Sequence, residues 1–307
     1  MIEYVQGAPP DRWHWNKSCT LYPRVIIKRR SRRPAEDLCD ECYNIENRAQ
    51  HQRELARSKI VKDIMSRDVV TISPEASMAE AAGIMGVKRI GSLIVKKYET
   101  PIGIVTDRDL ISKVWGLDKN PEVEKVEAVM SYPLNTICPT AKIKEAAQMM
   151  IRKKGRLAVF DCGELVGIVT TTNLIRSLPE VVETEAKVDD FMTKKVETID
   201  EKTVVASIAK MMAEKRVGSF IVTSKGEPFG IFTERDLITN FLVKGKPLIT
   251  EVGKEAVSPL ISTTVGTSIH QAAVIMSMKH IRRLPITKNG EIVGIITTRN
   301  LVEAYAK

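Results

Sequence analysis

One short phrase recurs four times in this chain of 307 residues, and its near-constant spacing limits the folds open to the chain. Each copy ends an apolar run with Gly-Ile-[Val/Phe/Ile]-Thr and continues with two variable residues, Asp or Asn, and Leu. The four threonines follow one another at intervals of about 64 residues, as expected of a chain built from copies of one unit. They are Thr106, Thr170, Thr233 and Thr297.

Each copy also has the same internal order. An opening helical turn is followed by a short β-rich run and then by a helix whose apolar residues recur at helical spacing, such as Met78, Ala82 and Met85. Two strands come next, and a closing helix begins at the recurring phrase. The sequence therefore predicts an α/β (α+β) protein made of four β-α-β-β-α units.

The copies alternate in type. The first and third share a Lys-Arg pair and a Gly-Ser strand start (residues 88–95 and 215–222), and both close with Asp. The second and fourth begin the same strand with Arg-Leu (residues 156–159 and 283–286) and close with Asn. This pattern favours two modules of two units each, about 60–180 and 188–307. The predicted bounds are 1–43 for an N-terminal segment, 44–59 for a linker helix, and 60–116, 125–180, 187–244 and 251–307 for the four units.

Composition excludes several classes of protein. Hydrophobic residues make up 43% and charged residues 28% of the chain, which is typical of a globular protein. No apolar run approaches the roughly 18–20 residues of a membrane span, and the N-terminus has no apolar leader segment, so we expect a cytoplasmic protein. The net charge of +9 indicates either nucleic-acid binding or solvated basic helix faces.

The repeat resembles the CBS domain, the regulatory module named after cystathionine β-synthase. The resemblance covers about residues 60–307 and depends on the four closing phrases and the short Thr/Ser-containing runs upstream of them. It implies that the units pair into two Bateman modules, with clefts between the paired sheets. It also implies an adenine-containing ligand in those clefts: AMP, ADP, ATP or S-adenosylmethionine.

The closing phrase has a chemistry of its own. A carboxylate in the first turn of a helix, as at Asp109 and Asp236, can accept hydrogen bonds from two vicinal ribose hydroxyls. The hydroxyls of Thr106 and Thr233 can hold a ribose or phosphate oxygen. Alternatively, each Asp only stabilises its helix N-terminus, by about 0.3–1 kcal/mol. The preceding Lys-Arg pairs can supply cations for phosphate: Lys88, Arg89, Lys215 and Arg216.

The resemblance adds further candidate residues. It implies that Arg282 and Arg283 contact phosphate and that the runs Thr71–Ile72 and Thr198–Ile199 flank the adenine. In the second and fourth copies an amide replaces the carboxylate, so we expect weaker hydrogen bonding to ribose there. We expect these copies to contribute positive charge to ligand binding instead, from Arg156 among others.

No catalytic motif is visible, so we expect a non-enzymatic sensor that binds an adenine nucleotide and acts on a protein target. Assembly as a homodimer is left open. Two alternatives remain at this stage. One is a nucleic-acid-binding protein with the repeats as its regulatory body, and the other is a structural scaffold with empty clefts.

The N-terminal segment suggests zinc. Cys39 and Cys42 have the spacing of a zinc knuckle, and Cys19 with His14 would complete a four-ligand set, with His51 as the alternative fourth ligand. A redox pair is disfavoured because no thioredoxin-like pattern surrounds the two cysteines, and a disordered tail with incidental cysteines is the other interpretation. The basic run 28–33 is either a solvated loop or a nucleic-acid contact.

Overall fold

The computed structural model describes residues 4–6, 14, 28–30, 42, 59–153, 155–177 and 186–307. All four repeats lie in one compact unit, Ile60–Ser177 with Thr184–Lys307, and the N-terminal described residues belong to a second unit. In the second unit, strand β1 (Tyr4–Gln6) pairs antiparallel with β2 (Lys28–Arg30). The predicted linker helix, 44–59, falls almost entirely outside the described residues.

The first two repeats have the predicted order of elements. Repeat 1 contains α1 (Val61–Ile64), β3 (Thr71–Ile72), α2 (Met78–Lys88), β4 (Ser92–Lys97), β5 (Thr100–Thr106) and α3 (Asp107–Lys113), followed by a 3₁₀ turn (Trp115–Leu117). Repeat 2 contains α4 (Val126–Val129), β6 (Thr136–Ile137), α5 (Ile143–Lys153), β7 (Arg156–Asp161), β8 (Glu164–Thr170) and α6 (Thr171–Ser177).

The last two repeats follow the same plan with local differences. Repeat 3 contains a 3₁₀ turn (Val188–Asp190), β9 (Thr198–Asp200), α7 (Val205–Lys215), β10 (Ser219–Ser224), β11 (Glu227–Thr233) and α8 (Glu234–Asp236), which continues as a π-helix (Leu237–Val243). Repeat 4 contains a 3₁₀ turn (Val252–Lys254), β12 (Thr263–Thr264), α9 (Ile269–Met278), β13 (Arg283–Lys288), β14 (Glu291–Thr297) and α10 (Thr298–Ala306).

Each repeat forms one three-stranded sheet. The first strand of the hairpin is central, and it pairs with the short strand on one side and with the second hairpin strand on the other. In repeat 1, β3 runs parallel to β4 and β4 runs antiparallel to β5, and the other three sheets are built in the same way. Burial alternates toward the end of β5, which places one face of that strand against the core, because side chains alternate between the faces of a strand, whereas three consecutive residues of the central strand β4 are buried, so both of its faces are covered. The predicted α/β class and the four-unit plan are confirmed.

The repeats pair as 1 with 2 and 3 with 4, because each opening segment joins the sheet of its partner. Ser66 exchanges two backbone hydrogen bonds with Ile168, both 2.9 Å, and Thr193 does the same with Ile295. The repeated glycine allows this close approach, since a Cβ at Gly167 would lie 2.7 Å from the sulfur of Met65. The Gly and Met positions that recur in the sequence are therefore contact partners across each pair.

The two modules also share a core. Ile111 of repeat 1 is 2% exposed and packs in the apolar cluster of repeat 3, whereas Ile238 of repeat 3 is 3% exposed and packs in the cluster of repeat 1. Burial of side chains of this size stabilises a structure by about 1.5–3 kcal/mol each. The reciprocal exchange fixes the closing helices of repeats 1 and 3 against each other, and these helices carry the polar residues of the site.

Candidate functional site

Sheet topology brings the predicted ligand residues of repeat 1 to one end of its sheet. Thr106, at the end of β5, lies opposite Ser92 at the start of β4, and β3, on the other side of β4, begins with Thr71 opposite Ile94. In repeat 3, Thr233 lies opposite Ser219, and β9, on the other side of β10, begins with Thr198 opposite Ile221. Thr71 and Thr198 are exposed, whereas the isoleucines that follow them are buried.

The carboxylate of Asp109 caps its own helix. One oxygen, Oδ2, accepts hydrogen bonds from the backbone N–H of Thr106 at 3.0 Å and from its hydroxyl at 2.6 Å. The other, Oδ1, lies 2.7 Å from the ammonium of Lys113. The helix-stabilising role considered from the sequence is therefore present, and both carboxylate oxygens already have partners.

Asp236 makes the same capping contacts but keeps one oxygen open. Oδ2 accepts from the N–H of Thr233 at 2.8 Å and from its hydroxyl at 2.7 Å. Asn240 stands where repeat 1 has Lys113, and its amide donates to Glu255 instead. Within the described ranges, Oδ1 of Asp236 has no hydrogen bond or ion pair. Burial raises the pKa of Asp236 above 3.8, and the hydrogen bonds from Thr233 oppose this shift.

The amides of repeats 2 and 4 take over the capping contacts. Asn173 accepts from the Thr170 hydroxyl at 2.6 Å, and Asn300 accepts from the Thr297 hydroxyl at the same distance. The NH₂ group of Asn173 also donates to the carbonyl of Ile64 at 2.9 Å. This amide therefore ties repeat 2 to the opening turn of repeat 1, a role that the sequence alone did not reveal.

Charged side chains from all four repeats meet at one place. Asp107 of repeat 1 lies 3.1 Å from the guanidinium of Arg156 and 3.7 Å from that of Arg282. Glu234 of repeat 3 lies 3.0 Å from Arg283 and 3.9 Å from Arg108 of repeat 1. Both acids are 8% exposed, so these charges interact in a medium of low dielectric constant, where pairing is strong and unpaired charge is costly.

Two glycines make room for this cluster. A Cβ at Gly91 would lie 2.6 Å from Asp107 and 3.1 Å from Arg156. A Cβ at Gly218 would overlap Arg283 and would lie 2.6 Å from Glu234. The alternation of Gly-Ser with Arg-Leu at the strand start therefore places an arginine of each even repeat over a glycine of its odd partner.

Positive charge predominates in the cluster. Burial lowers the pKa of Arg282 to about 10; the guanidinium of Arg235 acts in the same direction and Asp107 opposes it. Burial also lowers the pKa of Arg235, and Asp107 again opposes the shift. Burial is the main cause of both shifts, and neighbouring guanidinium groups add to it, whereas the predominance of positive charge follows from the five arginines that meet two buried acids here. Such a surface favours anions.

The predicted Lys-Arg pairs end the helices α2 and α7. Arg89 and Arg216 adopt left-handed backbone conformations, with φ of 53° and 54°, as C-caps of these helices. Lys88 is exposed, whereas Lys215 forms an ion pair with Glu197. The pair of repeat 3 is thus partly engaged within the protein, and that of repeat 1 is more open.

The sequence-based candidates omitted four residues of the cluster. The signal was present in the two variable positions of the closing phrase. They hold Asp-Arg in repeat 1 and Glu-Arg in repeat 3, but Thr-Thr and Thr-Arg in the even repeats. Thr171 and Thr298 of the even repeats approach each other, with 3.4 Å between their hydroxyl oxygens. The omitted residues are Asp107, Arg108, Glu234 and Arg235.

The predicted zinc ligands lie only in part within the described residues. His14 and Cys42 are buried, and Nδ1 of His14 lies 3.7 Å from the sulfur of Cys42. Cys19 and Cys39 lie outside the described residues, as does the alternative ligand His51. Among the residues that the structure describes, no group of three or more His, Cys, Asp or Glu side chains could hold a metal ion.

Comparisons with known proteins identify the repeat. A family model for the CBS domain matches residues 61–116, 126–180, 188–242 and 251–307. The uncharacterized protein MJ1404 of Methanocaldococcus jannaschii is 28% identical over 266 residues, which cover 80% of this chain and 62% of that relative. This chain thus spans less than two thirds of MJ1404. The uncharacterized protein MK0525 of Methanopyrus kandleri is 38% identical over 131 residues, 42% of this chain and 67% of that protein.

Solved structures share the four-repeat fold. The crystal structure of MJ1225 from Methanocaldococcus jannaschii, described as a candidate archaeal homolog of g-AMPK, matches with a TM-score of 0.69 and 21% identity over 80% of this chain and 100% of that one. A conserved protein from Pyrococcus horikoshii matches with a TM-score of 0.58 and 20% identity over the same shares. In the part of the chain that the structure describes, no helix is long and apolar enough to cross a membrane.

Proposed function

Because the chain belongs to the CBS-domain family, we propose that it is a non-enzymatic regulatory protein that binds an adenine nucleotide between its paired repeats. CBS domains are in general regulatory modules without catalysis. The observation that carries the proposal is the excess of guanidinium groups in the central cluster, where burial and mutual repulsion lower the pKa of Arg282 to about 10. A phosphate group would supply the missing negative charge through charge-assisted hydrogen bonds.

Repeat 3 offers the better ribose site. Asp236 has one carboxylate oxygen without a partner within the described ranges, whereas Lys113 holds the corresponding oxygen of Asp109 at 2.7 Å. A carboxylate that is partly desolvated and incompletely bonded gains most from two ribose hydroxyls. We therefore assign the tighter site to the cleft edge around Thr233 and Asp236, with the adenine against Thr198 and Ile199.

The proposed nucleotide-binding residues lie at the strand ends, at the C-terminal ends of α2 and α7, and in the charged cluster. They are Thr71, Ile72, Lys88, Arg89, Thr106 and Asp109 in repeat 1, Thr198, Ile199, Lys215, Arg216, Thr233 and Asp236 in repeat 3, and Arg282 and Arg283 in repeat 4.

Regulation would follow from the position of the cluster. Ion pairs at this point join repeat 1 to repeats 2 and 4, and repeat 3 to repeats 1 and 4. A phosphate that competes for these arginines changes the contacts between the modules. A ligand shifts a conformational equilibrium only through its different affinities for the two states, and this rearrangement supplies such a difference. The description of MJ1225 as a candidate homolog of g-AMPK agrees with a regulatory subunit of this kind.

Calorimetry with AMP, ADP, ATP, S-adenosylmethionine and adenosine tests the proposal. We expect Asp236→Asn to weaken the best ligand at least about tenfold, because a hydrogen bond to a charged group contributes about 1.5–3 kcal/mol. Asn is the matched replacement, since Asn173 and Asn300 make the same capping contacts in the even repeats. If none of these ligands binds below millimolar concentration, the protein is a scaffold with empty clefts and the proposal fails.

A further inference from the structure

The second variable position of the closing phrase is arginine in three of the four repeats. Two of these arginines bind a backbone carbonyl of the facing repeat. Arg108 donates to the carbonyl of Arg216 at 2.5 Å, and Arg299 donates to that of Ile151 at 3.0 Å. The guanidinium of Arg108 thus joins repeats 1 and 3, and that of Arg299 joins repeats 2 and 4.

Arg235, the third arginine, has no such bond. Within the described ranges it makes no hydrogen bond and lies in no ion pair, although burial lowers its pKa and Asp107 only opposes that shift. By the symmetry of the repeats its partner would be the carbonyl of Arg89, the residue that corresponds to Arg216. Arg235 instead lines a small open pocket between repeats 1 and 3.

The π-helix of repeat 3 accounts for the asymmetry. It places Ile238 and Thr239 at the pocket and packs Val243 against Gly86, where a Cβ would overlap the valine side chain. On the opposite side of the same interface the small residue is on the other partner: Gly116 of repeat 1 corresponds to Val243 and contacts Ala213, which corresponds to Gly86. The two halves therefore cannot pack identically. Single π turns within helices often mark functional positions.

The pocket has the chemistry of an oxyanion site. Arg89 and Arg235 line it, and in the part of the chain that the structure describes neither side chain makes a hydrogen bond or a close ion pair, although Asp107 and Asp236 attract Arg235 from a greater distance. Asp107, the acid at its wall, is already engaged by two other arginines. Thr239 adds a hydroxyl. Apolar walls strengthen the attraction of charges, and they are formed by Met85, Ile90 and Ile238.

We propose that this pocket binds a single phosphoryl group, held by Arg89 and Arg235 with Thr239 as an additional donor. Planar guanidinium groups suit phosphate because they present paired N–H donors. The group can come from free phosphate or from the phosphate end of a nucleotide, and in the second case the inference rests on the proposed function. Repeats 1 and 3 share one such site per chain, because Arg108 fills the related position.

Thermal unfolding in phosphate and in chloride, at equal ionic strength and pH, reports this binding as the part of the phosphate effect that Arg235→Gln removes, because phosphate also stabilises proteins in general by exclusion from their surface. Phosphate should raise the midpoint of the wild-type protein, and the dependence on concentration gives the dissociation constant. We expect Arg235→Gln to weaken phosphate at least about tenfold and Arg299→Gln, which removes the same charge at the same repeat position, to leave it unchanged. Thr239→Val is a second variant and should weaken phosphate to a smaller extent.

Three results decide the inference and separate it from the proposed function. Unchanged phosphate affinity in Arg235→Gln, or no phosphate effect on the wild-type protein, overturns the site even if a nucleotide binds. Phosphate binding that depends on Arg235, without binding of any nucleotide, supports the site and rejects the proposed function. Titration of phosphate against AMP and adenosine identifies the source. If AMP competes with phosphate and adenosine does not, the pocket binds the phosphate of the nucleotide. If phosphate and AMP bind independently of each other, the pocket binds free phosphate.

Discussion

The guanidinium of Arg156 lies 3.1 Å from the carboxylate of Asp107, across the boundary between the two repeats of one module. Arg283 and Glu234 repeat this relationship in the other module at 3.0 Å. Each arginine begins the first hairpin strand of its even repeat, and each acid begins the closing helix of the odd partner. The two modules thus place equivalent ion pairs side by side at their common centre.

This relationship predicts a steric effect of Gly218→Ala. The added methyl group would overlap Arg283 and lie 2.6 Å from Glu234, and both side chains are confined by the cluster. We expect the free energy of unfolding, measured by urea denaturation, to fall by about 1–3 kcal/mol, as is typical of overpacking. Gly83→Ala is the control, because a Cβ at that helical position meets nothing within 4 Å. Equal stability of the two variants would show that Arg283 and Glu234 do not confine this position.

A second prediction concerns the pH dependence of stability in Asp236→Asn. The pKa of Asp236 is raised above 3.8 by burial, so in the interval above 3.8 the folded state binds more protons than the unfolded state. Stability from this group therefore falls as pH rises through its folded pKa. We expect Asp236→Asn to be more stable than the wild-type protein at pH 7, and the difference to shrink as pH is lowered toward 4. A difference that grows on acidification would show that attraction by the arginines outweighs burial.

A third prediction separates stability from binding at Arg282. Its pKa is lowered to about 10, so at every pH below about 10 the group is charged and folding carries the full cost of burying that charge, which is relieved only as pH rises further. Arg282→Gln should therefore raise the free energy of unfolding at pH 7, by on the order of 1 kcal/mol, since 32% of the side chain is exposed and solvent screens part of the effect.

The same variant should bind nucleotide less well. We expect Arg282→Gln to lower the affinity for AMP at least about tenfold and to leave adenosine unaffected, because only the phosphate contact is lost. Calorimetry with both ligands checks this, with Arg176→Gln, a change of an exposed residue on α6, as control. Parallel losses for AMP and adenosine would instead indicate a general disturbance of the cleft.

A fourth prediction concerns metal in the N-terminal segment. If Cys39, Cys42, Cys19 and His14 form one closed site, protein purified without chelator should contain about one zinc per chain by elemental analysis. The Cys39→Ser, Cys42→Ser double variant should lose it. The control is the Cys138→Ser, Cys162→Ser double variant, because these two cysteines are exposed in the repeats. Retention of zinc by the first variant, or none in the wild-type protein, refutes the assignment.

Much of the fold followed from local signals. The helical spacing of apolar residues, the recurring Gly-x-x-Thr phrase and the odd–even alternation predicted four β-α-β-β-α units in two pairs. Gly167 and Met65 explain why, since the residues that recur are those that touch when two units pair. When every copy makes the same contact, the residues that make it recur at the repeat interval in the sequence.

The site was predictable only in part. The sequence placed Thr106 and Thr233 at strand ends, and each sheet brings its threonine to the same sheet end as Thr71 or Thr198, with the central strand between the two. It left open whether Asp109 and Asp236 cap a helix or hold a ligand. Their capping contacts follow from helix geometry, but the difference between them depends on Lys113, which lies one turn away in repeat 1 and has no counterpart in repeat 3.

The sequence by itself determined the repeat, its elements and which units pair, because these depend on patterns shared by all copies. Only the tertiary structure decided which charges meet at the centre. Arg108 and Arg235 occupy the same position of the same phrase, yet the first binds a carbonyl 108 residues away and the second lines an open pocket. Their environments differ because a π-helix in repeat 3 packs against Gly86, and packing between distant segments leaves no periodic signal in the chain.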